Sequence, residues 1–342
     1  MEDLEQLQLL GRGGYASVYL VRRPNSPDLY ALKRISRAKI ATEQQKCRLE
    51  AEKFILQQVK SPFLCRGFEA FETAKEVGLL QEFIEGRALY ECVWKYRESG
   101  KFPEHVAKFF AAQLVLAVRD LHAAGFVHRD LKSGNVLVGR DGSVKVIDFG
   151  LTKRVDADKE GGDSPARTQS MCGTHYVMAP EIFFREPYGA TIDWWSLGVV
   201  IYEMVAGHSP WEYQCPTNST INEYFARIKR IASSPFQANL GRNHAQMPDL
   251  SADLQSLISG LLTINPHDRL GRGGATEIMH HAWFHDVDWD ILESKGSSIA
   301  VPYDPIADYN AARARTPPPR NESLSSAESI DSEENAKYFA DF

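Results

Sequence analysis

Val127-His128-Arg129-Asp130-Leu131-Lys132-Ser133-Gly134-Asn135, followed a short way on by Asp148-Phe149-Gly150, is the stretch that decides the reading of this 342-residue chain. An acid, a base and an amide fall within six positions, so Asp130, Lys132 and Asn135 converge on one small volume if the segment is a loop. Apolar, strand-like flanks bound it, Phe126-Val127 before and Val136-Leu137-Val138 after. A lone His-Arg-Asp reads as a turn of solvated charges; the flanks argue for a built site. The residue types suit phosphoryl transfer, in which charge spreads over the oxygens of the moving group and must be met by a metal, a fixed cation and a carboxylate. Asn135 and Asp148 offer hard oxygen ligands for Mg²⁺, Lys132 the cation and Asp130 the base that receives a hydroxyl proton.

Composition narrows the alternatives. The chain is 43% apolar and 25% charged, an ordinary globular balance with room for a large core. A net charge of −6 provides no basic field for nucleic acid. Cys47, Cys65, Cys92, Cys172 and Cys215 are odd in number and show no paired spacing, so reduced thiols and a cytoplasmic location with nuclear access are expected. Met1-Glu2-Asp3-Leu4-Glu5 has neither a signal-peptide core nor a glycine at position 2 for acylation. The longest apolar run, Leu197-Gly198-Val199-Val200-Ile201-Tyr202, is stopped by Glu203 and reads as a buried helix; no integral membrane segment is expected.

Upstream, Leu7, Leu9 and Leu10 lead into Gly11-Arg12-Gly13-Gly14-Tyr15-Ala16-Ser17-Val18, and strand-like Tyr19-Leu20-Val21 and Tyr30-Ala31-Leu32-Lys33 follow. Glycines let backbone N–H groups approach phosphate oxygens because no Cβ intervenes. A dinucleotide-binding reading fails, since a strand and not a helix follows the glycines. Beyond Pro103, His105 to His122 carries an apolar stripe of helical period that Gly125 ends.

Together these segments resemble eukaryotic protein kinases of the AGC serine/threonine group, similar to the cyclic-AMP- and cyclic-GMP-dependent kinases. Asp3-Leu4-Glu5-Gln6-Leu7 leans toward the cyclic-GMP branch. The resemblance implies an α+β, bilobal kinase fold: a small, mostly antiparallel β N-lobe with one key helix over residues 1–81, a hinge at 82–86, and a larger helical C-lobe over 87–295. The activation segment would span 148–181, and a tail over 296–342 would wrap back to the N-lobe. It implies ATP and Mg²⁺ as cofactors, with Gly11, Gly13 and Gly14 over the phosphates. Lys33 would hold the α- and β-phosphates and pair with Glu52, preferred over Glu50 by its spacing from Lys33 and by sharing a helix face with Leu49, Ile55 and Leu56. Val18 and Ala31 would pack above adenine and Leu137 below it. Gln81 would gate the pocket, and the backbone of Glu82 to Ile84 would pair with the base edge.

The same likeness marks Thr168 and Ser170 as activation-loop phosphosites, Ser170 being the principal one. Arg48, Arg129 and Lys153 are its candidate anchors, since a dianion would tie the lobes through charge-assisted hydrogen bonds. Thr174 would bridge Asp130 and Lys132, a mark of serine/threonine specificity. Asp193 would brace the catalytic-loop backbone, and Arg269 would pair with Glu181. After Pro317-Pro318-Pro319 the chain is acidic and ends Tyr338-Phe339-Ala340-Asp341-Phe342, resembling the Phe-x-x-Phe ending in which Phe339 and Phe342 fill a small-lobe pocket. Implied partners are protein substrates with serine or threonine acceptors, an upstream activating kinase, and a cyclic-nucleotide-binding segment or subunit outside this chain.

Departures from the pattern are informative. Ala88, Gly134, Tyr176 and Ala226 stand where basophilic relatives carry carboxylates, so weaker selection for substrate arginines is expected. Ala16 replaces a third loop glycine, and Gly67 replaces a spine leucine, which would loosen the coupling of Leu56 to Phe149. These favour a second reading, a pseudokinase scaffold that binds ATP with little transfer activity; intact Lys33, Glu52, Asp130, Asn135 and Asp148 weigh against it.

Overall fold

The structure, a computed structural model, describes residues 4–96, 100–155, 170, 172–210 and 250–295. Thr168, Ala226 and the tail with Phe339 and Phe342 lie outside the described residues. The N-terminal half is a five-stranded sheet of β1 (Glu5–Arg12), β2 (Ala16–Arg22), β3 (Leu29–Ser36), β4 (Gly67–Glu72) and β5 (Glu76–Glu82), ordered β1-β2-β3-β5-β4 with every pair antiparallel. Helix α1 (Glu43–Gln58) packs against it. Its start is fixed by a capping box: the Thr42 hydroxyl accepts from Gln45 N–H at 3.2 Å, and the Gln45 side chain accepts from Thr42 N–H at 2.9 Å. Its buried stripe is Leu49, Glu52, Ile55 and Leu56, and an acid in such a stripe must find a partner.

Gly67 does not leave a gap. A Cβ built on it would stand 2.7 Å from Leu56 Cβ, so the α1 backbone closes onto β4 where a leucine was expected. Leu56 and Phe149 both lie in the main buried cluster. The expected loosening of that coupling therefore has no void behind it.

Only residues 83–85 separate β5 from β6 (Gly86–Ala88), a shorter connection than the 82–86 expected. Strand pairing takes Glu82 instead, whose N–H donates to Arg66 O at 2.8 Å. The C-terminal half is helical: α2 (Leu89–Lys95), α3 (Glu104–Ala123), then β7 (Phe126–Val127), β8 (Val136–Gly139), β9 (Val144–Val146) and β10 (Lys153–Arg154). Next come α4 (Pro180–Phe183), α5 (Thr191–Ala206), α6 (Ala252–Leu261), α7 (Ala275–Met279) and α8 (Trp289–Lys295). Helices α3 and α5 are buried along most of their length and form the centre of this half. Gly125 (φ 81°) and Gly207 (φ 80°) end them in the left-handed region that favours glycine. A small sheet, β6-β8-β9, lies under the connection between the halves. This is the bilobal kinase architecture. No described helix is long and apolar enough to cross a membrane.

Candidate active site

The catalytic-loop residues sit between β7 and β8, which turns the run 128–135 into a loop with both ends fixed in sheets. Arg129 adopts φ 68°, a conformation costly for any residue bearing a Cβ unless its surroundings hold it. Asp193, fully buried on α5, does so: its carboxylate accepts from the N–H groups of His128 (2.8 Å) and Arg129 (2.9 Å) and contacts His122 Nε2 at 2.8 Å. Burial alone would raise the Asp193 pKa. The His122 hydrogen bond, the nearby imidazoles and the backbone N–H outweigh it and hold Asp193 below the usual carboxylate range. Burial pushes His128 down, and its Nδ1 accepts from Asp130 N–H at 3.3 Å while its ring lies 5.8 Å from Phe149.

Asp130 is pinned from three sides. Its Oδ1 accepts from Thr174 N–H at 2.6 Å; its Oδ2 accepts from Asn135 Nδ2 at 3.1 Å and lies 3.1 Å from Lys132 Nζ. Lys132 Nζ donates to Thr174 Oγ1 at 2.5 Å. The Asn135 amide also donates to Asp130 O at 2.9 Å, so its nitrogen faces the loop and its Oδ1 is left as the free acceptor end among the described residues. Ile147 N–H donates to Asn135 O at 3.0 Å, which sets the residue leading into Asp148 beside the catalytic loop.

Across the cleft, Lys33 Nζ donates to Glu52 Oε1 at 2.6 Å and to Asp148 Oδ1 at 2.9 Å. Glu50, the alternative, is exposed and pairs with Lys53. Burial would lower the Lys33 pKa, but Asp148 and then Glu52 more than offset it and hold the ammonium well above its ordinary range. The Lys33 charge, against the opposing effect of burial, holds Asp148 well below the carboxylate range. Glu52 is 1% exposed, whereas Asp148 keeps 48% of its side chain accessible. Asp148 Oδ1 is used by Lys33 and by Gly150 N–H (3.1 Å), so Oδ2 is the oxygen available to a ligand.

The donor set suits Mg²⁺: one carboxylate and one amide oxygen, leaving other positions for water and phosphate. Gly11, Gly13 and Gly14 bracket the β1–β2 turn. A Cβ on Gly11 or Gly14 would meet nothing within 4 Å, and one on Gly13 only Ala16 O at 3.8 Å. Protein crowding therefore does not demand these glycines. Val18 and Ala31 lie on β2 and β3, with Leu137 half-buried on β8 in the other lobe. Gln81 is buried, its Oε1 accepting from Cys65 Sγ at 3.6 Å. The Glu82 side chain turns to Lys145 (2.9 Å), and Ile84 lies in the connection between lobes.

Ser170 sits apart from this cleft. Arg129 Nη1 donates to Ser170 Oγ at 2.7 Å, and Tyr188 OH donates to Ser170 O at 2.5 Å. Lys153 is held below its ordinary pKa by burial, then by Arg129, with Arg48 adding to the same side. The Arg48 Nε is buried with no hydrogen-bond partner among the described residues.

The protein kinase domain family model matches residues 4–284. The chain is 32% identical over 307 residues to the cAMP-dependent protein kinase type 3 of Saccharomyces cerevisiae, covering 89% of this chain and 70% of that one. The chain belongs to the protein kinase family. Within it, the chain falls in the AGC serine/threonine group. It is 34% identical to a Dictyostelium discoideum cAMP-dependent protein kinase catalytic subunit and 34% identical to the Arabidopsis thaliana serine/threonine-protein kinase AtPK2/AtPK19. These matches cover 85% and 86% of this kinase domain but only 41% and 57% of those relatives.

Sequence reading overlooked three participants. His122 lies in the last turn of an apolar helix, and no local pattern ties it to Asp193. Tyr188 and Lys145 meet Ser170 and Glu82 only through long-range folding. A lysine alternating with buried valines in β9 is the one faint signal for Lys145.

Proposed function

We propose that the chain transfers the γ-phosphoryl group of ATP to serine and threonine hydroxyls of proteins, with the roles distributed as follows. The observation that carries this is the convergence of Asp130, Lys132, Asn135 and Thr174 on one side of the cleft with Lys33, Glu52 and Asp148 on the other. Lys33, fixed by Glu52, faces the α- and β-phosphates. Asn135 Oδ1 and Asp148 would hold Mg²⁺, which when bound would supply positive charge to offset that of the phosphate oxygens. Asp130 orients the acceptor hydroxyl and takes its proton, with its own charge fixed by Thr174 and Asn135. Lys132 balances the charge that develops on the transferred group. Val18, Ala31, Leu137 and Gln81 enclose the base, and the backbone of Glu82 and Ile84 reads its edge.

A phosphotransfer assay with radiolabelled ATP and a generic basic protein tests this. Asp130→Asn is expected to lower turnover by about 10² to 10⁴ while ATP affinity stays near wild type. Turnover that survives Asp130→Asn would overturn the assignment. The pseudokinase reading finds no support: the relatives are kinases, and the charged set is assembled.

Substrate preference and regulation extend the reading. Ala88 ends β6 and Gly134 lies beside Lys132 with no carboxylate at either position, which supports weak selection for arginine before the acceptor. A peptide array showing strong arginine selection would refute it. Ser170, and Thr168 near it in sequence, are the sites for an upstream activating kinase, with Arg48, Arg129 and Lys153 receiving the Ser170 phosphate. A cyclic-nucleotide-binding segment or subunit outside this chain regulates it, and the protein works in the cytoplasm with access to the nucleus.

A further inference from the structure

We infer that Lys145 is a positioning residue for the base end of the nucleotide, acting through Glu82; the inference rests on the nucleotide-site reading above. Lys145 belongs to β9 in the large lobe, yet its ammonium lies 2.9 Å from Glu82 Oε1 at the end of β5 in the small lobe, and it also donates to Leu64 O at 3.5 Å. The same Glu82 oxygen accepts from Arg66 N–H at 2.7 Å, and Glu82 N–H donates to Arg66 O at 2.8 Å. The Arg66 N–H and the Lys145 ammonium both hold the Glu82 carboxylate, so its side chain is not free to swing. Its backbone N–H is taken by Arg66 O, so what Glu82 can present to a base is its backbone carbonyl, and Lys145 fixes the angle at which it does so.

The strand carrying Lys145 is itself shared between lobes. Val146 N–H donates to Phe63 O at 2.9 Å, and Cys65 N–H donates to Val146 O at 2.8 Å. Three residues beyond Lys145 on the same short run comes Asp148, bound to Lys33. Asp148 lies two residues past the end of β9, so this short run carries Lys145 to the base end of the site and Asp148 to the phosphate end. Both members of the pair are mostly shielded, with 19% and 24% of their side chains exposed, so the pair is screened less than a surface bridge.

The test compares wild type, Lys145→Met and Lys145→Arg in binding of adenosine, which has no phosphates, and in steady-state kinetics with ATP. Lys145→Met is expected to raise the adenosine Kd and the ATP KM by the same factor, about fivefold. Turnover at saturating ATP should fall by less than about twofold. Lys145→Arg, which keeps the charge and the donor, should restore both constants, whereas loss of packing alone would move turnover and melting temperature instead. An unchanged adenosine Kd in Lys145→Met, with adenosine still competing against ATP in wild type, overturns the inference and leaves the nucleotide site standing. Failure of adenosine to compete with ATP in wild type overturns both.

Discussion

Two charged clusters lie on either side of the catalytic loop, and they differ in balance. Lys33, Glu52 and Asp148 join one cation to two carboxylates, and every charge has an opposite partner within 3 Å. In the second, Arg129 donates to the Ser170 hydroxyl, and burial together with the charges of Arg129 and Arg48 holds Lys153 below its ordinary pKa. The first cluster is assembled before any ligand arrives, so its geometry costs nothing at the moment of reaction. The second sets like charges against one another, and a phosphate on Ser170 would relieve that repulsion.

Breaking the balanced cluster should have the larger effect. Lys33→Met leaves Glu52 buried beside Asp148 with no cation, and unfolding in urea should show a loss of about 3–5 kcal/mol. Lys33→Met combined with Glu52→Gln should recover part of that, because the uncompensated charge is then gone. A Lys33→Met variant as stable as wild type would show that the cleft hydrates these groups freely.

Sharpening the other side of the comparison, Ser170→Ala should cost the unmodified protein little. After treatment with an activating kinase, wild type should gain about 2 kcal/mol from charge-assisted hydrogen bonds that the Ala variant cannot form. Equal activity and equal stability of the two treated proteins would remove Ser170 from the switch.

The smallest effect concerns acid stability. Asp193 titrates below its ordinary range in the folded chain, so its contribution is fully present above about pH 4 and fades as pH falls through the lower folded value. Asp193→Asn should flatten the dependence of stability on pH in that acidic window, measured by urea denaturation at stepped pH. A slope identical to wild type would mean that the carboxylate titrates alike in folded and unfolded chains.

Much of the site could be read along the chain because its chemistry is local: Asp130, Lys132 and Asn135 fall on one loop, and Asp148 follows the next strand. The glycine turn is likewise a short-range signal, legible because backbone geometry restricts which residues serve there. Family likeness supplied the pairing of distant residues such as Lys33 with Glu52, which no periodicity alone could select over Glu50.

Folding alone decided the rest. Gly67 looked like a defect in the spine, yet Leu56 moves onto its backbone, because close packing is settled by the facing element and not by the residue's own type. His122, Tyr188 and Lys145 have partners more than fifteen residues away, at Asp193, Ser170 and Glu82. Residue identities thus determined which chemistry this chain can perform; the tertiary structure decided which charges stand against opposite charges and which against like ones, since electrostatic energy depends on distance and burial that sequence order does not record.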